Sequence, residues 1–240
     1  MDHRIEHEIE HGRFLANNGA GEIWNWESPA GKIRWARRVK MLTDYVKPDR
    51  SLLELGCGTG YFTKEIAKTG ANIIAIDISP ELLALAENNI KDKHVSFRKE
   101  NAYHMTFKDN QFDYVLGSSV LHHLDIHKAI AEIYRVLKNG GAIAFTEPNM
   151  MNPQIALQKN IPYIKRKLGD SPDETAFFRW QLSKLLSKQG FRKIELKTFD
   201  FLHPAVPPKL IKTVASLGNF CEKLPFIKEI AGSVFIKAYK

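Results

Sequence analysis

The 240-residue sequence predicts a doubly wound α/β domain, and three observations carry that prediction. From Ser51 onward, short β-branched apolar runs alternate with helical patterns. The strands are nearly continuous in apolar residues rather than alternating in and out. A glycine triplet stands directly between the first strand and the helix that follows it. Strands of that kind are buried on both faces, as in a parallel sheet covered by helices on either side.

"SLLELG" (51–56) reads as the first buried strand, followed by a helix at about 60–69. "ANIIAID" (71–77) is a second strand. "SPELLALAENNIKD" (79–92) is a helix with Ser79 at its N-cap and Pro80 in its first turn. "HVSFRKE" (94–100) and "FDYVLGS" (112–118) continue the strands. "HKAIAEIYRVLKNGG" (127–141) has apolar residues at helical spacing and ends on Gly140 and Gly141, before the strand "AIAFTEP" (142–148). Beyond this point strict alternation ends. Residues 150–170 carry Pro153, Pro162 and the basic run Lys165, Arg166, Lys167. A helix at about 174–189 precedes the strand "FRKIELKTFD", a helical insert over "PPKLIKTVASLGNFCEKLPF", and a last strand "SVFIKAYK". The two final strands read as a hairpin at one sheet edge, with helices inserted as a cap.

Composition sets outer limits. Apolar content of 44% and charged content of 26% are ordinary globular values. No apolar run reaches the roughly 18 residues of a spanning helix, and the N-terminus has no signal-peptide core. Two cysteines, Cys57 and Cys221, are too few for a disulfide framework, so a cytoplasmic protein is expected. The formal charge of +8 suits an anionic partner or simple solubility.

The segment "LLELGCGTGYF" (52–62) carries most of the functional information. Gly56, Gly58 and Gly60 let the backbone turn sharply beside a ligand, at the carboxyl end of a strand where open α/β sheets bind their ligands. Asp77, at the end of the second strand, can accept two hydrogen bonds from ribose hydroxyls, so the pair points to an adenosine-type cofactor. The spacing is G-x-G-x-G rather than the dinucleotide G-x-G-x-x-G, and Glu54 precedes the first glycine by two residues. A carboxylate there repels a pyrophosphate but attracts, directly or through water, the amino end of a methionine moiety. That favours S-adenosylmethionine.

With those residues in view, "LLELGCGTG", "AIDIS", "ENAYHMTFKDNQFDYVLGSSVLHHL" and "IYRVLKNGGAIAFTEP" resemble the successive motifs of class I S-adenosylmethionine-dependent methyltransferases. The resemblance covers about residues 50–150 and, more loosely, "QLSKLLSKQGF" (181–191). It implies a Rossmann-like seven-stranded sheet whose last strand is antiparallel, with helical lid insertions. It implies one methyltransferase domain over 1–240: an N-terminal helical lid (1–48), a cofactor-binding core (49–149), and substrate-cap insertions (150–175 and 203–231). The loop Glu54, Gly56, Cys57, Gly58, Gly60 and Tyr61 would hold the methionine end and Asp77 the ribose. Ile78 would pack on the adenine, Asn101 and Ala102 would contact its edge, and Ser118 or Ser119 would lie beneath the sulfonium. The family more often has Asp at position 101.

Methyl transfer needs the nucleophile, methyl carbon and sulfur held in line, and a general base only when the acceptor must lose a proton. His122 and His123 fall just beyond the fourth strand, where cofactor and acceptor meet, and histidine suits proton abstraction at neutral pH. Glu147, at the end of the fifth strand, is a second candidate, with capping of the loop as its structural alternative. His127 falls inside the next helix. "HEIEH" (7–11) satisfies H-E-x-x-H, but its position at the chain terminus reads as a polar helix face with Ile5 and Ile9 inward, and no metal is expected. "EIWNWESPAGKIRWARR" (22–38), with Trp24, Trp26 and Trp35, suits a lid that excludes water and supplies an arginine to a cofactor or substrate carboxylate.

The expected function is methyl transfer to a small-molecule acceptor, at oxygen. The basic stretches 158–167 and 209–224 suit weak peripheral membrane contact. Nucleic acid is disfavoured, because few aromatic residues are interleaved with the bases. Methylation of tRNA or rRNA and a catalytically silent cofactor-binding scaffold are the alternative readings.

Overall fold

The computed structural model describes residues 3–19, 21 and 25–240; Trp24 lies outside them. A seven-stranded sheet forms the centre in the order β3-β2-β1-β4-β5-β7-β6. Its strands are β1 (Ser51–Leu55), β2 (Asn72–Asp77), β3 (Val95–Lys99), β4 (Phe112–Ser118), β5 (Leu137–Pro148), β6 (Arg192–Phe199) and β7 (Ser233–Tyr239). β1 to β5 pair in parallel, while β7 is antiparallel to both β5 and β6. The carboxyl ends of β1, β2, β4, β5 and β6 therefore share one edge, where chain-connecting segments can gather around a ligand.

The helices α1 (His3–Asn18), α2 (Pro29–Thr43), α3 (Thr63–Ile66), α4 (Pro80–Asn89), α5 (Ile126–Val136), α6 (Pro153–Asn160), α7 (Pro162–Lys167), α8 (Arg179–Gln189) and α9 (Ile211–Cys221) surround the sheet. Their starts follow local chemistry. Ser28, Ser79, Asp125 and Asn152 each cap a helix by accepting a first-turn backbone N–H, and Pro29, Pro80 and Pro153 occupy first-turn positions where no N–H is needed. Two apolar layers result. Leu53, Leu55, Val115, Ile130, Ile133 and Phe145 pack on one side of the sheet, and Leu42, Leu52, Ile66, Ile73 and Leu116 on the other.

Three element boundaries depart from the expectation, one of them the helix expected from about 174, which starts only at Arg179. The helix expected at about 60–69 is reduced to α3 and a 3-10 turn (Ala67–Thr69), because the glycine loop continues to Gly60 with positive φ. The helix expected to run to Gly141 ends at Val136. Leu137, fully buried, pairs with Phe112 and starts β5 five residues early; Gly140 then turns with φ 77° and bonds across to Lys240. The hairpin of β6 and β7 and the inserted helices between them follow the expected arrangement.

Candidate active site

A cavity of about 560 Å³ runs along the shared carboxyl edge of the sheet. The glycine loop forms its floor. Asp77 braces that loop: its Oδ2 accepts the Gly58 N–H and its Oδ1 the Ser79 N–H, each at 2.9 Å. Burial raises the Asp77 carboxyl, and those N–H donors lower it. Each oxygen keeps a further lone pair for a ligand hydroxyl. Ile78, Leu82 and Ala102 supply apolar wall beside it, and Asn101 turns its Oδ1 back onto the Tyr103 N–H. A carboxylate for a ribose, apolar wall for a planar base and glycine backbone for a chain carrying charged ends together fit S-adenosylmethionine.

Of the expected cofactor residues, Gly56, Cys57, Gly58, Tyr61, Asp77, Ile78, Asn101, Ala102, Ser118 and Ser119 line this cavity. Glu54 and Gly60 do not. Glu54 is buried behind the loop, its Oε2 has no partner among the described residues, and burial pushes its carboxyl up to about 7. Gly60 faces α4 instead: a Cβ there would come within 2.6 Å of Ile90, at a φ of +83°. Its role is to let the loop pass under the helix. Ser118 Oγ bonds Thr146 Oγ1 at 2.8 Å, joining the ends of β4 and β5.

The histidine pair occupies a 3-10 turn (Leu121–His123) just after β4. Glu147, at the end of β5, organises that turn. Its Oε1 accepts the N–H groups of Val120 (3.1 Å) and Leu121 (2.9 Å), and its Oε2 accepts His122 N–H (3.3 Å) and His122 Nδ1 (2.7 Å). With all four donors on one carboxylate, Glu147 anchors the turn and is not free to take a substrate proton. His122 Nδ1 must then carry hydrogen, which leaves Nε2 as the basic atom. That atom lies 3.7 Å from Glu174 Oε2, beyond hydrogen-bond reach. Burial, and next the His123 charge, lower the His122 pKa, so the ring is neutral at neutral pH. His123 behaves oppositely. Burial works against its charge, but Glu174 and Glu8, the latter 2.9 Å away, outweigh it and push the ring up to about 9. His127 is exposed on α5.

The roof comes from two segments distant in sequence. One face of α1 carries Arg4, Ile5, Glu8, His11, Gly12 and Leu15 onto the cavity. Gly12 permits this closeness, because a Cβ would fall 2.5 Å from Ser79. The expectation for "HEIEH" needs correction: Ile5 faces the cavity as expected, but so do Glu8 and His11. His7 bonds Asp173 at 2.7 Å, and His11 stacks obliquely near His123 with ring centres 6.0 Å apart. The second segment, 170–175, closes over the histidines. Ser171 Oγ donates to Glu8 at 2.6 Å, Thr175 N–H donates to the His122 carbonyl at 3.0 Å, and Lys159 Nζ bridges Asp170 (2.8 Å) and Glu174 (2.5 Å). His122, His123 and Glu174 offer ligand atoms within 4.8 Å of one another, but the Lys159 ammonium already supplies the cation at that point.

In the segment 25–38, Trp26 lines the cavity and packs edge-on against Phe62, while Trp35 packs against Tyr61 and Phe62 off the cavity wall. The arginines differ from their expected role. Arg34 and Arg38 both bind Asp200, at 2.9 and 2.7 Å, and Arg38 also donates to Ser233 Oγ at 2.6 Å. They tie α2 to the β6–β7 insertion.

A family model described as a methyltransferase domain matches residues 53–145. A methyltransferase-like protein of Schizosaccharomyces pombe is 30% identical over 202 residues, spanning 83% of this chain and 74% of its own. The chain belongs to the class I S-adenosylmethionine-dependent methyltransferases. A demethylmenaquinone methyltransferase of Lactiplantibacillus plantarum is 28% identical over 195 residues, 71% of this chain and 82% of that protein. Among solved structures, an S-adenosylmethionine-dependent methyltransferase of Thermotoga maritima superposes with a TM-score of 0.69 at 20% identity, covering 96% of this chain and 99% of that one, which is a likeness of fold.

Several residues of this methyltransferase site carry no local sequence signal. Glu8 and Asp200 meet their partners across long chain separations, and Lys159 meets Asp170 and Glu174 in the segment that follows α7. Only the spacing of Ile5, Glu8, Gly12 and Leu15, at three to four residues, marks the inward face of α1.

Proposed function

We propose that this methyltransferase transfers a methyl group to a hydroxyl oxygen of a small, partly apolar acceptor, with His122 as the general base. The observation that carries the proposal is the buried His122–Glu147 pair on the wall of the cofactor cavity. S-adenosylmethionine supplies an electrophilic methyl group on a sulfonium when bound, over the loop Gly56 to Tyr61 and with Asp77 at its ribose. Glu147 fixes the His122 ring and its tautomer, so that Nε2 receives the acceptor's hydroxyl proton as the oxygen attacks. The charged His123 is unsuited to that task at neutral pH; it holds Glu8 and Glu174, and through them α1 and segment 170–175, over the site. Residues 1–48 act as the lid, and 150–175 and 203–231 as the substrate cap. The walls beyond the histidines mix Ile155, Leu168, Phe201 and Leu202 with Gln154 and Gln158, which suits an acceptor with apolar bulk and a few polar groups. The name of the L. plantarum relative, a demethylmenaquinone methyltransferase, is in keeping with a small-molecule acceptor.

The test is transfer from methyl-deuterated S-adenosylmethionine into extracted small molecules and lipids, with the labelled atom located by NMR. Labelled methoxy carbon is expected, reduced by about 10²–10⁴ in rate for His122→Asn, with cofactor affinity retained in calorimetry. Label on nitrogen or carbon, or a His122→Asn protein of unchanged rate, would reject the reading.

A further inference from the structure

Fourteen large apolar side chains are exposed among the described residues, and ten of them crowd into two short segments. Leu157, Ile161, Tyr163 and Leu168 lie on and after α6 and α7. Leu210, Leu217, Phe220, Phe226, Ile227 and Ile230 lie just before, on and after α9. Phe226 is the extreme case: it is 87% exposed, on a backbone with φ 67° that presents it at the tip of a turn.

The two segments form one surface. They leave the sheet at the carboxyl ends of β5 and β6, which point the same way, and they are bonded to each other. Asn152 Nδ2 donates to the Ile230 carbonyl and Asn149 Nδ2 to the Glu229 carbonyl, each at 2.8 Å, and Gln154 meets His203 at 2.9 Å. The cavity opens beside this surface, since Leu168 is both on the cavity wall and half exposed.

The exposed charge on these two segments has one sign. Arg166, Lys167, Lys209, Lys212, Lys223 and Lys228 are exposed and have no ion-pair partner among the described residues. The carboxylates of these segments are all engaged: Asp170 with Lys159, Glu222 with Arg37, and Glu229 with Arg179. Exposed apolar side chains interspersed with free lysines match the layering of an anionic membrane surface, where headgroups meet the bases and the acyl boundary takes the apolar tips. Seven of the ten are aliphatic and offer no stacking face to a nucleobase.

We propose that residues 157–168 and 209–230 together dock this methyltransferase on an anionic lipid bilayer, with the cavity mouth turned toward the membrane. No helix among the described residues is long and apolar enough to cross a membrane, so the contact is peripheral. The proposal stands apart from the acceptor chemistry and from the role of His122.

The test is co-sedimentation of the full chain with phosphatidylcholine vesicles and with vesicles also containing phosphatidylglycerol, at low and high salt. Binding to the anionic vesicles alone, lost at high salt, is expected. Each lysine near such a surface is worth about a fivefold change in partitioning, so Lys209→Glu with Lys212→Glu should reduce binding at least tenfold. Phe226→Ser with Phe220→Ser should do likewise, with S-adenosylmethionine affinity unchanged in each variant as the control for folding. Absence of binding to anionic vesicles at low salt would overturn the proposal. So would a wild-type dimer, dispersed by Phe226→Ser, that ignores vesicles, or retention on immobilised RNA without vesicle binding.

Discussion

Glu147→Gln changes one atom and should disable the base without moving it. In the wild type Oε1 accepts two backbone N–H groups and Oε2 accepts the His122 N–H and Nδ1–H. The variant amide keeps most of its bonds by placing its carbonyl toward Val120 and Leu121. Its NH2 group then faces His122, whose Nδ1 must become an acceptor, and the ring proton moves to Nε2. An Nε2–H cannot take a proton from a hydroxyl, so the rate should fall by about 10²–10⁴. The lost charged hydrogen bonds cost about 3 kcal/mol, which lowers Tm by roughly 6–12 °C. Nitrogen-15 NMR of the histidine rings in the cofactor complex reads the tautomer directly and needs no acceptor; turnover is followed as S-adenosylhomocysteine release. In the wild type the rate should hold as pH falls to 6.5 and decline only below it, because the His122 pKa lies below that value. A folded Glu147→Gln protein with the Nδ1–H tautomer intact, or with a rate within about threefold of wild type, would refute the reasoning.

Three further outcomes follow from the geometry. Asp77→Asn should weaken S-adenosylmethionine binding at least tenfold in calorimetry, since a charged acceptor of ligand and loop hydrogen bonds is worth about 1.5–3 kcal/mol. Arg38→Met leaves Asp200 buried with one partner fewer; losing one member of a buried pair costs about 3–5 kcal/mol, to be read from chemical denaturation. For His123 the folded pKa of about 9 exceeds the ordinary 6.5, so its contribution is complete below 6.5 and is lost as pH rises through about 9. The hydrogen-exchange protection of residues 3–18, relative to the base-catalysed intrinsic rate, should fall above pH 9 in the wild type, and His123→Asn should remove that pH-dependent loss.

The parts of the fold readable from sequence were those with a short period. β4 occupies the expected span 112–118, and Ser79 caps α4 as its position before Pro80 suggests. The end of α5 was not readable, because Leu137 is as compatible with a helix as with a strand, and its pairing with Phe112 is a tertiary choice. The site divides in the same way. Gly56, Gly58 and Asp77 are local motif positions and meet at the cavity floor. The roof depends on contacts such as Glu8 with His123 and His122 with Glu174, which no neighbouring residues encode. "HEIEH" was visible as a pattern, yet its inward face became legible only with Gly12 seated on Ser79.

Glu147 belongs to β5, and the turn it organises follows β4, so the proposed base, His122, is mounted on the two central strands rather than on the rim. The proposed acceptor walls are borne by chain that leaves β5 and β6 and returns to the sheet, so the proposal puts proton transfer and much of the selection on different parts of one polypeptide. On that proposal, exchanging residues 203–231 for those of another methyltransferase should change the molecule accepted while leaving Glu147, His122 and Glu174 in place. A scaffold built this way diversifies by replacing its rim.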